Sequence, residues 1–231
     1  CSKSSILIHW YSEKEREFYE KWHTLVLERI CEVYPGKFNE KEADKLAYEN
    51  ARYMISVFCP TAMVYSLPFR NIFYVLDWTE QMKKNLEKLS GGFNKRLHDE
   101  LESLEEQLLF VVGGKQNFHD NKNETFRFMP VQACGTDDND NREYFGDVYT
   151  AKFLASFAQV AQEQRHRTLR VKIHFSGDDA EEYGFYVPEI LRETPLEEQW
   201  LSDMRSIKEI YPQGTIVSVT AQGLFEDYVL K

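Results

Sequence analysis

The sequence predicts an α+β protein in which helices pack on short mixed β-segments. Apolar residues recur at three- and four-residue spacing over 18–33, 69–86 and 97–108, the period of helices buried along one side. Leu169, Val171, Ile173 and Phe175 alternate with Arg170, Lys172 and His174, the period of a half-exposed strand. With 231 residues, 42% of them hydrophobic and 14% aromatic, the chain can bury a sizeable core as one large or two small domains.

In chain order, Ser12 and Glu15 form a capping-box pattern ahead of Phe18, Trp22, Leu25, Ile30 and Val33, and Pro35-Gly36 ends that helix. Asn39 and Glu42 open a shorter helix carrying Ala43, Leu46 and Ala47. From Tyr53 to Leu67 the pattern is β-rich and broken by Pro60. Phe69, Ile72, Phe73, Leu76 and Leu86 mark a third helix, closed by Gly91-Gly92. Leu97, Leu101, Leu104 and Leu108 form a stripe on a fourth, suited to core packing or to an oligomer interface.

Residues 113–147 are rich in turn-formers and solvated charges, with Phe126–Phe128 as a short strand inside them. The division expected is therefore 1–112, a loop-rich linker over 113–147, and 148–231. Asp137 to Asn141 alternates oxygen ligands but lacks the glycine and distal glutamate of an EF-hand loop, so no metal site is expected.

Phe153 to Gln164 reads as an amphipathic helix leading into the strand at 169–175. Gly177 to Asp179 turns the chain, and Tyr183 to Pro188 is extended. Thr194, Pro195 and Glu197 open a last helix with Leu196, Trp200, Ile207 and Ile210. The runs Ile30–Pro35 and Ile207–Pro212 echo one another, and each precedes a β-type run containing Ser-Val, a pattern that fits a duplicated helix–strand unit.

The balance of 38 acidic and 28 basic residues gives a formal charge of −10. A surface of that sign repels polyanions, so no nucleic-acid polymer is expected as partner. The four cysteines show no metal-ligand spacing and fit reduced thiols, and no stretch has the length of a membrane helix. A cytoplasmic protein without membrane association is the expectation. The start at Cys1 and the end at Lys231 read as a piece of something longer.

Against this acidic background, Arg165-His166-Arg167 stands at the end of the amphipathic run. Two guanidiniums can fork around phosphate oxygens while the imidazole between them titrates near neutrality. The same triplet also suits a helix C-terminus whose cations complement the macrodipole. His174 reads as part of a solvated face, and no Ser/His/Asp or Cys/His spacing is present.

With Gln162 three residues ahead of it and Phe185-Tyr186-Val187-Pro188 after it, the Arg-His-Arg motif resembles that of the flavin-dependent thymidylate synthases. Ala51-Arg52, followed after a β-type run by Arg70, is similar to a second segment of the same family. Here the back-half-like region, about 10–110, precedes the front-half-like region, about 144–190, and 194–228 starts a second back half. The arrangement implied is a tandem or permuted copy.

The resemblance implies methylation of dUMP to dTMP in nucleotide biosynthesis, with FAD as cofactor and NADPH and methylenetetrahydrofolate as co-substrates, in a homo-oligomer. It casts Arg165, His166, Arg167 and Arg70 as FAD-side residues, and Gln162 and Arg52 as contacts of the uridine nucleotide. Pro68, Tyr74, Thr79, Ile173 and Phe175 stand where the family carries polar ligand groups, and Gly214-Thr215 stands for a second Ala-Arg. These departures point to an alternative, a non-catalytic structural or regulatory relative. A plain interaction module built on the leucine-striped helices is the third.

Overall fold

The computed structural model describes residues 3–60, 66, 68–113, 148–164, 169–179, 181–224 and 228, with side chains from Glu13 onward apart from Phe69, Arg70 and Val148. The architecture is α+β, mostly helical, with one small sheet. In chain order the elements are α1 (Lys3–Val33), α2 (Glu40–Ala51), α3 (Phe69–Leu86), α4 (Gly92–Val111), β1 (Val148–Ser156), α5 (Phe157–Glu163), β2 (Arg170–His174), α6 (Pro195–Ser206) and β3 (Ile216–Leu224). The expected strand at 126–128 lies outside the described residues. None of the described helices is long and apolar enough to cross a membrane.

The sheet runs in the order β1-β3-β2. β2 pairs antiparallel with β3 from Arg170 opposite Gln222 to His174 opposite Ser218. On the other side of β3, Gln222 Nε2 donates to Thr150 Oγ1 at 3.1 Å, while the Phe157 N–H reaches the Thr215 carbonyl at 3.2 Å. One strand advances as the other retreats, so this pair is antiparallel too. The expected mixture of strand directions is replaced by an antiparallel sheet.

The chain divides into two compact units. The first comprises Cys1–Pro60, Leu154–Arg165 and Ala180–Val217. Its core is made by Trp22, Val26 and Ile30 of α1, Ala43, Ala47 and Ala51 of α2, and Trp200 and Met204 of α6. The three alanines stand one turn apart, which lets α1 and α2 approach closely. Trp22 meets Trp200 edge to face with ring centroids 4.9 Å apart. Both indole N–H groups are used: Trp22 donates to Asp203 Oδ2 at 2.9 Å, and Trp200 to the Tyr186 carbonyl at 2.8 Å.

Two element expectations in this unit are corrected. α1 is helical from Lys3, so Ser12 lies inside the helix and does not cap it. The segment after α2 forms a 3-10 turn, Arg52–Met54, and only Ser56 makes a β-bridge, with Pro212. Its backbone still pairs: the Gly214 N–H donates to Tyr53 O at 2.9 Å and the Gln213 N–H to Ile55 O at 2.7 Å. Thus the β-type run after the first Tyr-Pro meets the chain that follows the second. A Cβ on Gly214 would stand 3.2 Å from Tyr53 O and would displace the end of the Met204 side chain.

The capping box of Asn39 and Glu42 forms as expected, with bonds of 2.9 and 3.0 Å. At α6, Thr194 caps as expected by accepting from the Leu196 N–H at 3.3 Å. Glu197, however, turns to the Glu193 N–H at 2.7 Å. α6 ends at Ser206, and Ile207 and Ile210 reach the core from beyond it.

The second unit comprises Thr61–Phe153, His166–Asp179 and Ser218–Lys231. α3 and α4 pack through Met82, Leu86 and Leu101, with Trp78, Leu89 and Leu97 at the margin. Lys83 pairs with Glu105 beside this core, and both side chains are largely withdrawn from solvent. Of the leucine stripe, Leu101 is buried while Leu104 is exposed. Gly91 takes φ 106°, and a Cβ on it would lie 2.1 Å from the Ser176 carbonyl. Only glycine fits this joint between the α3–α4 turn and the end of β2.

Candidate nucleotide site

The amphipathic run expected over 153–164 divides in two. Its first residues complete β1, and the helix starts only at Phe157. Ser156 is the reason: its hydroxyl accepts from the Gln159 N–H at 3.2 Å, and Gln159 Oε1 accepts from the Ser156 N–H at 2.8 Å. This reciprocal cap starts α5 and buries Phe157, Ala158 and Val160. Gln162 falls on the exposed side of the last turn. Arg165, His166 and Arg167 come after α5 and lie outside the described residues.

Arg52 is placed by α2. Ala51 is fully buried at the helix end, and the following 3-10 turn holds Arg52 half-buried. Its Nε is sealed from solvent and has no hydrogen-bond partner, and among the described residues no carboxylate pairs with the guanidinium. A buried guanidinium nitrogen without an acceptor is costly, and the Nη groups of the same cation stay open to an anion.

The surroundings of Arg52 are aromatic. Burial raises the phenol pKa values of Tyr19 and Tyr53, and in both the Arg52 charge acts in the opposite direction. Tyr19 stacks with Tyr48 at 5.8 Å, and Tyr48 stacks on His23 at 3.8 Å. His23 Nε2 lies 2.9 Å from Asp44 Oδ1, which holds the imidazole in place. Sequence spacing missed this His–Asp pair because its members sit on two neighbouring helices, α1 and α2.

The other named positions separate into two groups. Arg70 lies in the first turn of α3, and its side chain is outside the described residues. Thr79 is fully buried on α3, where its hydroxyl donates to the Val75 carbonyl. Phe175 is buried against Phe93, with ring centroids 5.1 Å apart. Pro68 is exposed ahead of α3, while Ile173 and Tyr74 are half-buried. His174 is half-buried, with Nε2 2.8 Å from Thr220 Oγ1, so the expected solvated face is only partly open. Thr215 is fully buried with its hydroxyl unpartnered.

No family model, curated protein or solved structure matches the chain.

Two further arrangements occur. His98, Asp99 and Glu102 on α4 have ligand atoms within 4.8 Å of one another, the two carboxylates being exposed. In the first unit, a cleft of about 610 Å³ is lined by Phe185, Tyr186, Val187, Glu189, Arg192, Glu193, Glu197 and Ile216. The sequence marked its Phe185–Val187 wall, within the extended Phe185–Pro188 segment, but not its charged rim. The signal was present as four charged residues spaced around Pro188 and Pro195.

Proposed function

We propose that this chain is a flavin-dependent thymidylate synthase-like protein, a tandem or permuted copy, that binds a uridine nucleotide and takes its phosphate on Arg52. The single observation behind this reading is the half-buried Arg52 guanidinium, whose Nε is sealed and unpartnered among aromatic neighbours. Its Nη groups stay open and have no partner among the described residues, so a phosphate can take charge-assisted bonds from them. Gln162, three residues before Arg165 in the sequence, supplies amide donors and an acceptor for the nucleotide.

In its full form the activity is methylation of dUMP to dTMP in a homo-oligomer, with NADPH and methylenetetrahydrofolate as co-substrates. FAD would be faced by Arg165, His166, Arg167 and Arg70. Of the positions described on that side, Pro68 offers no side-chain donor, so no step is derived through the flavin. What the chain's own residues do is anchor a phosphate and thereby orient the ring attached to it.

A non-catalytic relative that kept the fold and lost the pocket is the second reading, favoured by Thr79 and Phe175. Both stand where the family places polar ligand groups, and both are packed into the interior here. An absorbance spectrum of the purified protein from the near ultraviolet to the blue, with thermal shifts on adding FAD and dUMP, separates the two. Bound flavin and a dUMP shift support the enzyme. A dUMP shift in a colourless protein that FAD does not stabilise supports a relative that keeps the nucleotide anchor alone. A colourless protein with neither shift leaves the non-catalytic relative without a ligand and removes nucleotide binding.

A further inference from the structure

We infer that the cleft of the first unit is a binding site for a small organic cation with an aliphatic body, a class that includes diamines and guanidino-alkylamines. At about 610 Å³ it has the size of a small-molecule site. Its apolar side is fixed: Phe185 and Val187 are buried, and Phe185 bridges to Thr215. Tyr186 is held between neighbours, its ring 4.5 Å from that of Tyr53 and its carbonyl bonded to Trp200. Such a surface accepts the methylene stem of a ligand without rearranging.

The rim determines the sign of the ligand. It carries Glu189, Glu193 and Glu197 against Arg192 alone, a formal charge of −2 from three acids and one base. Arg192 is engaged by Glu189 at 3.2 Å, so its charge is not available to an anion. Glu197 holds the backbone N–H of Glu193. The Glu193 carboxylate has no partner among the described residues. A negative rim over an apolar wall attracts cations and repels phosphate.

The spacing then favours an extended organic cation over a metal ion. Among the described residues, the three glutamates do not come together as a ligand set. Carboxylates spread around an apolar floor match an ammonium or guanidinium at one end and a hydrocarbon stem beneath it. Arg52 does not line this cleft.

Calorimetric titration of the full chain with agmatine tests the inference, with the neutral pentylurea as control. Agmatine is expected to bind, to weaken as salt is raised, and to exceed pentylurea by about tenfold or more in affinity. Glu193→Gln should reduce agmatine affinity about tenfold, and Glu189→Gln with Glu193→Gln more. Arg52→Ala should leave it unchanged, which separates this result from the nucleotide reading. Absence of agmatine binding at millimolar concentration, equal binding of pentylurea, or wild-type affinity in the double variant would each overturn the inference.

Discussion

Phe175 lies edge-on to Phe93, ring centroids 5.1 Å apart, where the family resemblance calls for a hydroxyl facing a ligand. Phe175 closes β2 against the start of α4 within the second unit, and its burial makes it a packing residue.

Replacing it with the family's residue therefore costs stability. Phe175→Ser should destabilise the protein by about 3–5 kcal/mol, from the cavity left and the hydroxyl buried in it. The measurement is urea denaturation, and dUMP affinity should not improve in the fraction that folds.

The Gly91 joint predicts a second loss. Gly91→Ala places a Cβ against the Ser176 carbonyl in a backbone conformation that L-residues rarely adopt. We expect a loss of about 1–3 kcal/mol, read as a lowered melting temperature. Gly36→Ala is the comparison, because φ is also positive there but no atom lies within 4 Å of the added carbon. It should cost less.

The Lys83–Glu105 pair couples stability to alkaline pH. The hydrogen bond to Glu105 raises the Lys83 pKa above its ordinary value. A raised lysine pKa contributes stability fully below the unfolded value, about 10.4, and loses it as pH rises through the folded one. Lys83→Met alone removes the cation that faces Glu105 and should cost about 2–3 kcal/mol at neutral pH. Lys83→Met with Glu105→Leu should recover much of that loss. Its stability should also fall less steeply than the wild type above about pH 10, as followed by denaturation at a series of pH values.

Much of the helical framework was legible in the sequence. Asn39 and Glu42 cap α2, and Leu86 of α3 and Leu97 and Leu101 of α4 fall on the contact between those helices, because these signals act within one or two turns. The strand at 170–174 was legible from alternation alone. Misread segments are those governed by distant partners. Tyr53–Val57 has strand composition, yet it follows a helix end and pairs only through a few backbone bonds to 211–214. Phe153–Ser156 looks helical, but β3 claims it for the sheet and the cap at Ser156 delays the helix.

The candidate site was legible in part. Ala51-Arg52 stood out only through the family resemblance, and nothing in its spacing showed how far the side chain would be enclosed. Its sealed Nε depends on how α1, α2 and the 3-10 turn fold together. Its neighbour Tyr19 stacks on Tyr48, which in turn stacks on His23; Tyr19 and His23 lie one turn apart on α1, but their meeting with Tyr48 of α2 leaves no trace in linear spacing.

Arg52 is the proposed anchor of a nucleotide phosphate. Its most direct test is the calorimetric affinity for dUMP and for deoxyuridine, measured on the wild type and on Arg52→Ala. The account predicts that the wild type binds dUMP at least about tenfold more tightly than deoxyuridine, and that Arg52→Ala loses this difference. Equal affinities in the wild type, or an undiminished preference for dUMP in Arg52→Ala, would contradict it.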